Sequence, residues 1–402
     1  MKILIINPGG LPVPDVKGGA VQAIVTDIIK QNEIKKNIDL YSMTPYDYEA
    51  ACDAEKYKST HFIFFSVPKI IKFVDKLIYY LFSHISSHPD SYSRIIKSFY
   101  YVFYLSKHLM KNNYDYIIFE HNHLLLLSLC NPFVYQDYKD KYCIHIHNKV
   151  RAISLSKIFI HKCKHIITIS NYMKEYLIHD KTLHVDSNSV YVIHNCIDRR
   201  EFYKKIDTDI DLSKLSIDKS RKIILFAGRI NREKGIDKLI DAYNELDKDQ
   251  YQLVIVGNAF YSDKRKSKFG YYLMKKCERD VEQNNIVFTG YVNRNNLVDY
   301  YNVADVIVMP SMWDEPAGLA MVEAAFCNKP LITTNSGGIP EYVGDYALII
   351  NRDNVVDEIV NGIKHIISSD MFFDSTPLIE RFDVSSYYNE FEILFDLAKD
   401  NK

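Results

Sequence analysis

The chain has 402 residues, is 47% hydrophobic and 25% charged, and carries a formal net charge of −1. That length suits two domains of ordinary size, and the composition is globular rather than disordered or fibrous. Balanced charge argues against general nucleic-acid binding, since no basic excess exists to neutralise phosphates.

Seven scattered cysteines, with no Cys-x-x-Cys and no zinc spacing, read as reduced thiols of a cytosolic protein. The N-terminal apolar run is too short for a signal peptide, and no apolar run approaches the roughly 18 residues that cross a bilayer.

In chain order, Lys2–Asn7 is an Ile/Leu run ending at Pro8-Gly9-Gly10, which reads as a buried parallel strand and a loop. Gly18 and Gly19 then precede a helix over Ala20–Lys30. Strand, glycine loop and helix open a doubly wound domain, and glycines let a backbone approach a ligand closely. Ile38–Ser42 and His61–Val67 are further strands, with an irregular polar stretch over 46–60. Residues 68–82 carry Lys69, Lys72 and Lys76 among Ile, Phe, Leu and Tyr. That pattern suits either a helix lying in a membrane interface or a core helix with a solvated lysine edge. Ser93–Met110 is another aromatic-rich helix.

Tyr114–Phe119 is a strand ending in Glu120-His121-Asn122-His123, and Tyr142–His145 is a strand running on to His147. The ends of parallel strands are where α/β sheets bind ligands, so both clusters are candidate sites. His145 and His147 share a strand face, but no carboxylate or cysteine spacing completes a ligand set, so a metal site is open here but not favoured. Strands follow at His165–Ser170 and Val190–His194, with a helix from Asn171 between them. The charged stretch Arg199–Arg221 reads as the linker.

The second half repeats the pattern. Lys222–Ala227 is a strand, followed by Gly228-Arg229, Lys234-Gly235 and a helix over Ile236–Leu246. Strands follow at Tyr251–Val256, Ile286–Thr289, Val306–Met309, Pro330–Thr334 and Ala347–Ile350. Helices are expected over 261–284, 295–302, 317–326, 355–367 and 383–398. Arg229 and Lys234 flank a glycine-bearing loop that opens a helix, and two cations beside free backbone N–H groups suit a diphosphate. Glu315 lies in the loop after Val306–Met309. Glu323 stands about two helical turns on, among Met321, Val322 and Ala324, so it is expected to be buried and to need partners. There is no Walker A motif, no Gly-x-Gly-x-x-Gly and no Gly-x-Ser-x-Gly, which disfavours an ordinary ATPase, dehydrogenase or hydrolase.

Together these motifs resemble the retaining glycosyltransferases of family 4 (glycosyl transferases group 1). The match is carried by Glu315-Pro-Ala-Gly-Leu-Ala-Met-Val-Glu323, by Asn335-Ser-Gly-Gly-Ile-Pro-Glu341, by Gly228-Arg229…Lys234-Gly235 and by Gly18-Gly19-Ala20. The resemblance implies the GT-B fold: two doubly wound α/β domains facing a cleft, with a C-terminal helix crossing back to the first. On this reading residues 1–200 with 383–402 form the acceptor domain and 201–382 the donor domain.

The resemblance further implies that Arg229 and Lys234 bind the donor pyrophosphate, Glu323 the ribose hydroxyls and Glu315 the sugar hydroxyls. Backbone at Gly228, Ala317, Gly318 and Leu319 would add to phosphate or sugar binding. Gly290, Tyr291 and Val292 would border the base, and Gly18 and Gly19 would approach the diphosphate. Catalytic help from the first domain would come from Glu120, His121 or His147. A nucleotide sugar, UDP by family habit, is expected as co-substrate, with no cofactor, no metal and no nucleic acid. The acceptor expected is a lipid-linked or surface-polysaccharide glycan, reached from the cytosol at the inner membrane face through 68–82. Two departures stand out: Cys196 replaces the usual glycine, and Ala317 replaces the commoner phenylalanine. The rival readings are a nucleotide-sugar epimerase and a non-catalytic sugar-nucleotide-binding protein.

Overall fold

The structure, a computed structural model, describes residues 1–83, 95–150, 152–258, 268–369 and 373–400. The chain divides into two compact units, Met1–Ile193 and His194–Lys402.

The first unit is built on a parallel sheet of β1 (Lys2–Ile6), β2 (Asp39–Pro45), β3 (Thr60–Phe65), β4 (Tyr116–Glu120), β5 (Tyr142–Ile146), β6 (His165–Thr168) and β7 (Val190–Val192). Its order is β3-β2-β1-β4-β5-β6-β7. The chain starts mid-sheet, winds out to one edge, then returns beside β1 and winds to the other. β4 and β5 are buried at every residue, which is why they read as continuous Ile/Tyr/Phe runs rather than an alternation.

The second unit repeats the plan with β8 (Lys222–Ala227), β9 (Tyr251–Val256), β10 (Ile286–Gly290), β11 (Val306–Met309), β12 (Leu331–Thr334) and β13 (Leu348–Ile350), in the order β10-β9-β8-β11-β12-β13. Each unit therefore has a point where winding reverses, β1/β4 in the first and β8/β11 in the second. Ligands of such sheets bind outside the strand C-termini at that point. The core of the second unit packs β8, β9 and β11 against helices such as Ile236–Tyr243, whose Leu239, Ile240 and Tyr243 are fully buried.

Some expected elements move. The stretch 46–60 contains a helix, Tyr48–Ala54, started by the Asp47 carboxylate, which accepts from the N–H groups of Glu49 and Ala50. The aromatic-rich helix is Ile95–Leu109, with 93 and 94 outside the described residues. Of the expected helix over 261–284, residues 261–267 lie outside the described residues, and the rest forms Lys268–Lys276 and Glu278–Glu282. Short helices at Pro132–Tyr138, Ser154–Lys162 and Thr376–Phe382 were not expected from periodicity. The helix placed at Ala317 begins at Leu319. Residues 315–318 stay outside the helix, where the Gly338 N–H donates to the Glu315 carbonyl at 2.7 Å. Pro316 accordingly sits before the helix rather than in its first turn.

Candidate functional site

Three loops converge in the second unit, each following one of the adjacent strands β8, β11 and β12. The β8 loop holds Gly228, Arg229, Lys234 and Gly235. Gly235 adopts φ +67°, and a Cβ there would lie 2.0 Å from the Pro310 carbonyl oxygen of the β11 loop. Only glycine lets the two loops approach this closely. They are then zipped by Met312 N–H donating to the Glu233 carbonyl at 2.7 Å. The β12 loop joins through Gly337, whose φ is +58° and where a Cβ would meet the Glu315 carbonyl oxygen at 2.4 Å.

At the convergence Lys234 Nζ donates to both oxygens of Glu315, at 2.7 and 2.8 Å, and Ser311 Oγ donates to Oε1 at 2.7 Å. Glu315 is buried at 7% exposure, so the lysine charge stabilises it there. An ammonium has three N–H groups, so Lys234 keeps donor capacity while Glu315 fixes its position. Arg229 is exposed and forms no side-chain hydrogen bond or ion pair among the described residues. Arg229 and Lys234 thus put two cations into one loop that leads into a helix, a composition that suits an anion.

Glu323 lies one helix onward and is also buried. Tyr301 Oη donates to its Oε2 at 2.9 Å, and Arg294 Nη1 stands 3.8 Å from its Oε1 while Arg294 Nε bonds Glu201 at 2.8 Å. Burial raises the Glu323 carboxyl above its ordinary range, against the opposing pull of Arg294 and Tyr301. Ala317, Gly318 and Leu319 lead into this helix. Gly290, at φ +75°, ends β10 with open space over its Cα face, followed by exposed Tyr291 and half-buried Val292.

In the first unit Glu120, His121 and His147 meet at the ends of β4 and β5, together with His145, which the sequence reading named beside His147 without giving it a catalytic role. The parallel register sets Glu120 beside His145. The Glu120 carboxylate lies 2.8 Å from His147 Nε2 and 3.1 Å from His145 Nδ1. This corrects the expectation that no carboxylate completes a set with the two histidines. Sequence spacing could not reveal it, because the partners come from neighbouring strands. The ligand atoms of Glu120, His145 and His147 lie within 4.8 Å of one another, close enough to share a proton or a cation.

Burial would raise Glu120, but the two imidazoles bring it down to about 2, so it is an ionised acceptor. Both facing ring nitrogens then donate to it. Burial lowers His147 to about 3 and His121 to about 4, so both are neutral at neutral pH. His121 sits at φ +52°, and its Nδ1 accepts from the His147 backbone N–H at 3.3 Å. With Nε2–H tied to Glu120, His147 Nδ1 keeps its lone pair and has no partner among the described residues. Held neutral with its pKa pulled to about 3, His147 is a hydrogen-bond acceptor and only a weak base.

Gly18 and Gly19, at φ +74° and +110°, form the loop before the helix Ala20–Lys35. The sequence reading missed Ser311, Tyr301 and Arg294. Tyr301 and Arg294 reach Glu323 from another helix, Ser311 reaches Glu315 from four residues back in the same loop, and no local motif marks any of them.

Comparison with known proteins gives two family matches: Glycosyl transferases group 1 over residues 207–380, and Glycosyltransferase Family 4 over residues 63–201. An uncharacterized glycosyltransferase of Methanocaldococcus jannaschii is 31% identical over 188 residues, 44% of each chain. A lipopolysaccharide 1,2-N-acetylglucosaminetransferase of Salmonella typhimurium is 29% identical over 168 residues, 40% of this chain and 44% of its own. The chain thus spans under half the length of these relatives. The structure of Anabaena HepE with UDP and glucose superposes with a TM-score of 0.71 and 18% identity, covering 98% of this chain and 99% of that one, a likeness that shows the shared GT-B fold. With a model of the family matched in each unit and the fold shared throughout, the chain belongs to the group 1, family 4 glycosyltransferases.

Proposed function

We propose that the protein transfers a sugar from a nucleotide-diphosphate donor, UDP-linked by preference, to a hydroxyl of a lipid-linked or surface-polysaccharide glycan. Transfer retains the anomeric configuration and uses no metal ion. The observation that carries this reading is the meeting of the β8 loop, with Arg229 and Lys234, and the β11 loop, with Glu315, at two neighbouring strand ends. A diphosphate leaving group develops charge as the bond from the anomeric carbon to its oxygen breaks. Arg229 and Lys234 are positioned to stabilise that charge. The acceptor oxygen bonds the same carbon on the same face, and its proton passes to the departing diphosphate. Glu315 holds sugar hydroxyls and Glu323 ribose hydroxyls, while N–H groups of Ala317, Gly318 and Leu319 add donors and Gly290–Val292 border the base. UDP is favoured because HepE, which shares the fold, binds it.

The acceptor reading draws support from the similar lipopolysaccharide transferase and from the helix Lys69–Ser83. That helix presents Ile70, Phe73, Leu77, Tyr80 and Leu81 outward at 49–71% exposure, with Lys69, Lys72 and Lys76 alongside. An apolar stripe edged by lysines suits the cytosolic face of an anionic membrane. No helix among the described residues is long and apolar enough to cross a membrane.

The test is incubation with a panel of nucleotide sugars, with and without glycan acceptors and with chelator. Nucleotide release, product mass and product anomeric configuration are followed. Retained turnover in chelator, and a loss of at least about a hundredfold in R229A and K234A, are expected. Transfer and nucleotide affinity unchanged in both variants would sink the proposal. An epimerised donor without any acceptor would point to the rival enzyme.

A further inference from the structure

The helix Ile95–Leu109 packs beside Lys69–Ser83, and the buried Asp75 carboxylate starts it by accepting from the N–H groups of Ile96 and Lys97 at 2.8 and 2.9 Å. On its other side runs the tight helical segment His123–Cys130. Between them lies a cleft of about 250 Å³ walled by Ile95, Phe99, Val102, Leu124, Leu127 and Ile153, with Ser98 the one polar liner among the described residues. Phe99 is 56% exposed and Ile153 45% exposed.

We infer that this cleft holds the hydrocarbon chain of the lipid-linked acceptor, an inference that rests on the acceptor reading above. The wall chemistry selects the ligand. A sugar in the cleft would leave its hydroxyls unpaired against hydrocarbon, which is costly. A protein helix, roughly 10 Å across, is too wide for a space of this volume. A flexible alkyl or isoprenoid chain fits both constraints. The neighbouring helix, with its outward apolar stripe and lysines, has the charge and polarity of a surface that meets anionic lipid.

Chain continuity supplies the direction. Leu124 stands four residues after Glu120, so the cleft wall begins within about 14 Å of the Glu120–His147 cluster. A lipid with its chain in the cleft therefore keeps its head group within reach of the β4 and β5 ends.

The experiment uses the full chain and displacement of cis-parinaric acid by n-alkyl phosphates from butyl to dodecyl. Affinity should tighten about fourfold for each methylene that enters the cleft, then level off. Two variants block the site differently: Val102→Trp fills it and Leu127→Asp places a charge in a half-buried wall. Each should weaken dodecyl phosphate binding at least tenfold and flatten the chain-length dependence. UDP affinity by calorimetry should stay unchanged, since that site belongs to the second unit. Binding that ignores chain length, or variants that bind dodecyl phosphate as the parent does, would overturn the inference. So would variants that change only the sedimenting mass, which would assign the cleft to a second copy of the chain. If chain-length dependence stands while no sugar is transferred, the glycosyltransfer reading falls and the hydrocarbon site remains.

Discussion

Lys234→Met is the sharpest perturbation of the candidate site. It keeps most of the side chain's packing and removes the charge that faces Glu315. The lysine side chain is 23% exposed and that of Glu315 is 9% exposed. After the change, Glu315 would keep one direct side-chain donor, Ser311 Oγ. Leaving one partner of a buried pair costs about 3–5 kcal/mol, and partial water access through the lysine channel lowers this to about 2–3 kcal/mol. Glu315→Gln alone should cost about 1 kcal/mol, because Lys234 can turn to solvent. The double variant should then lose less than the sum of the singles, with a coupling of about 1–2 kcal/mol. The chain's single tryptophan, Trp313, lies two residues from Glu315, so its fluorescence during urea unfolding reports on this unit. UDP affinity of K234M should fall about ten- to a hundredfold, the worth of one charge-assisted hydrogen bond. Additive single effects would refute the claim that the pair is one positioned unit. An unchanged UDP affinity would refute its part in anion binding.

Gly235→Ala should destabilise the second unit by at least about 2 kcal/mol, since φ +67° and the Pro310 carbonyl both oppose a Cβ; a Trp313 transition within 0.5 kcal/mol of the parent would count against the close loop approach. Tyr301→Phe removes the hydroxyl donor to Glu323 and should cost about 1–3 kcal/mol, with weaker UDP binding if Glu323 must be oriented for a ribose; the same two measurements check it. His121 and His147 are held below 6.5 in the folded chain, at about 4 and about 3, so between pH 6.5 and 4.5 the unfolded chain binds protons that the folded one does not. Their stabilisation is therefore present above pH 6.5 and is lost as pH falls, at up to about 2.7 kcal/mol per pH unit near pH 5. His147→Gln should roughly halve that slope in denaturant titrations followed by far-ultraviolet ellipticity, and an unaltered slope would show that His147 is not buried neutral.

Much of the architecture is legible in one dimension. Runs such as Ile223–Ala227, Leu253–Val256 and Val306–Met309 are buried on both faces, so their hydrophobicity is continuous and their strands can be placed almost to the residue. The β8 and β11 loops are legible for a related reason. A glycine just before a helix and a carboxylate embedded among apolar residues are local facts that the sequence displays directly. By contrast, the Tyr48–Ala54 helix starts at a capping carboxylate and the stretch before the Leu319–Phe326 helix accepts a hydrogen bond from Gly338, neither of which periodicity records.

The sequence by itself determined which residues are chemically fit for a phosphorylated ligand: Arg229, Lys234, Glu315 and Glu323. It could not pair them, because pairing depends on which strand ends become neighbours. Only the order β8-β11-β12 puts Lys234 on Glu315, and only the register of β4 on β5 puts Glu120 between two histidines. The same holds for the lysine-edged helix. Its spacing leaves open which face is covered, and only the tertiary packing turns Asp75 inward and leaves Phe73, Leu77 and Tyr80 outward.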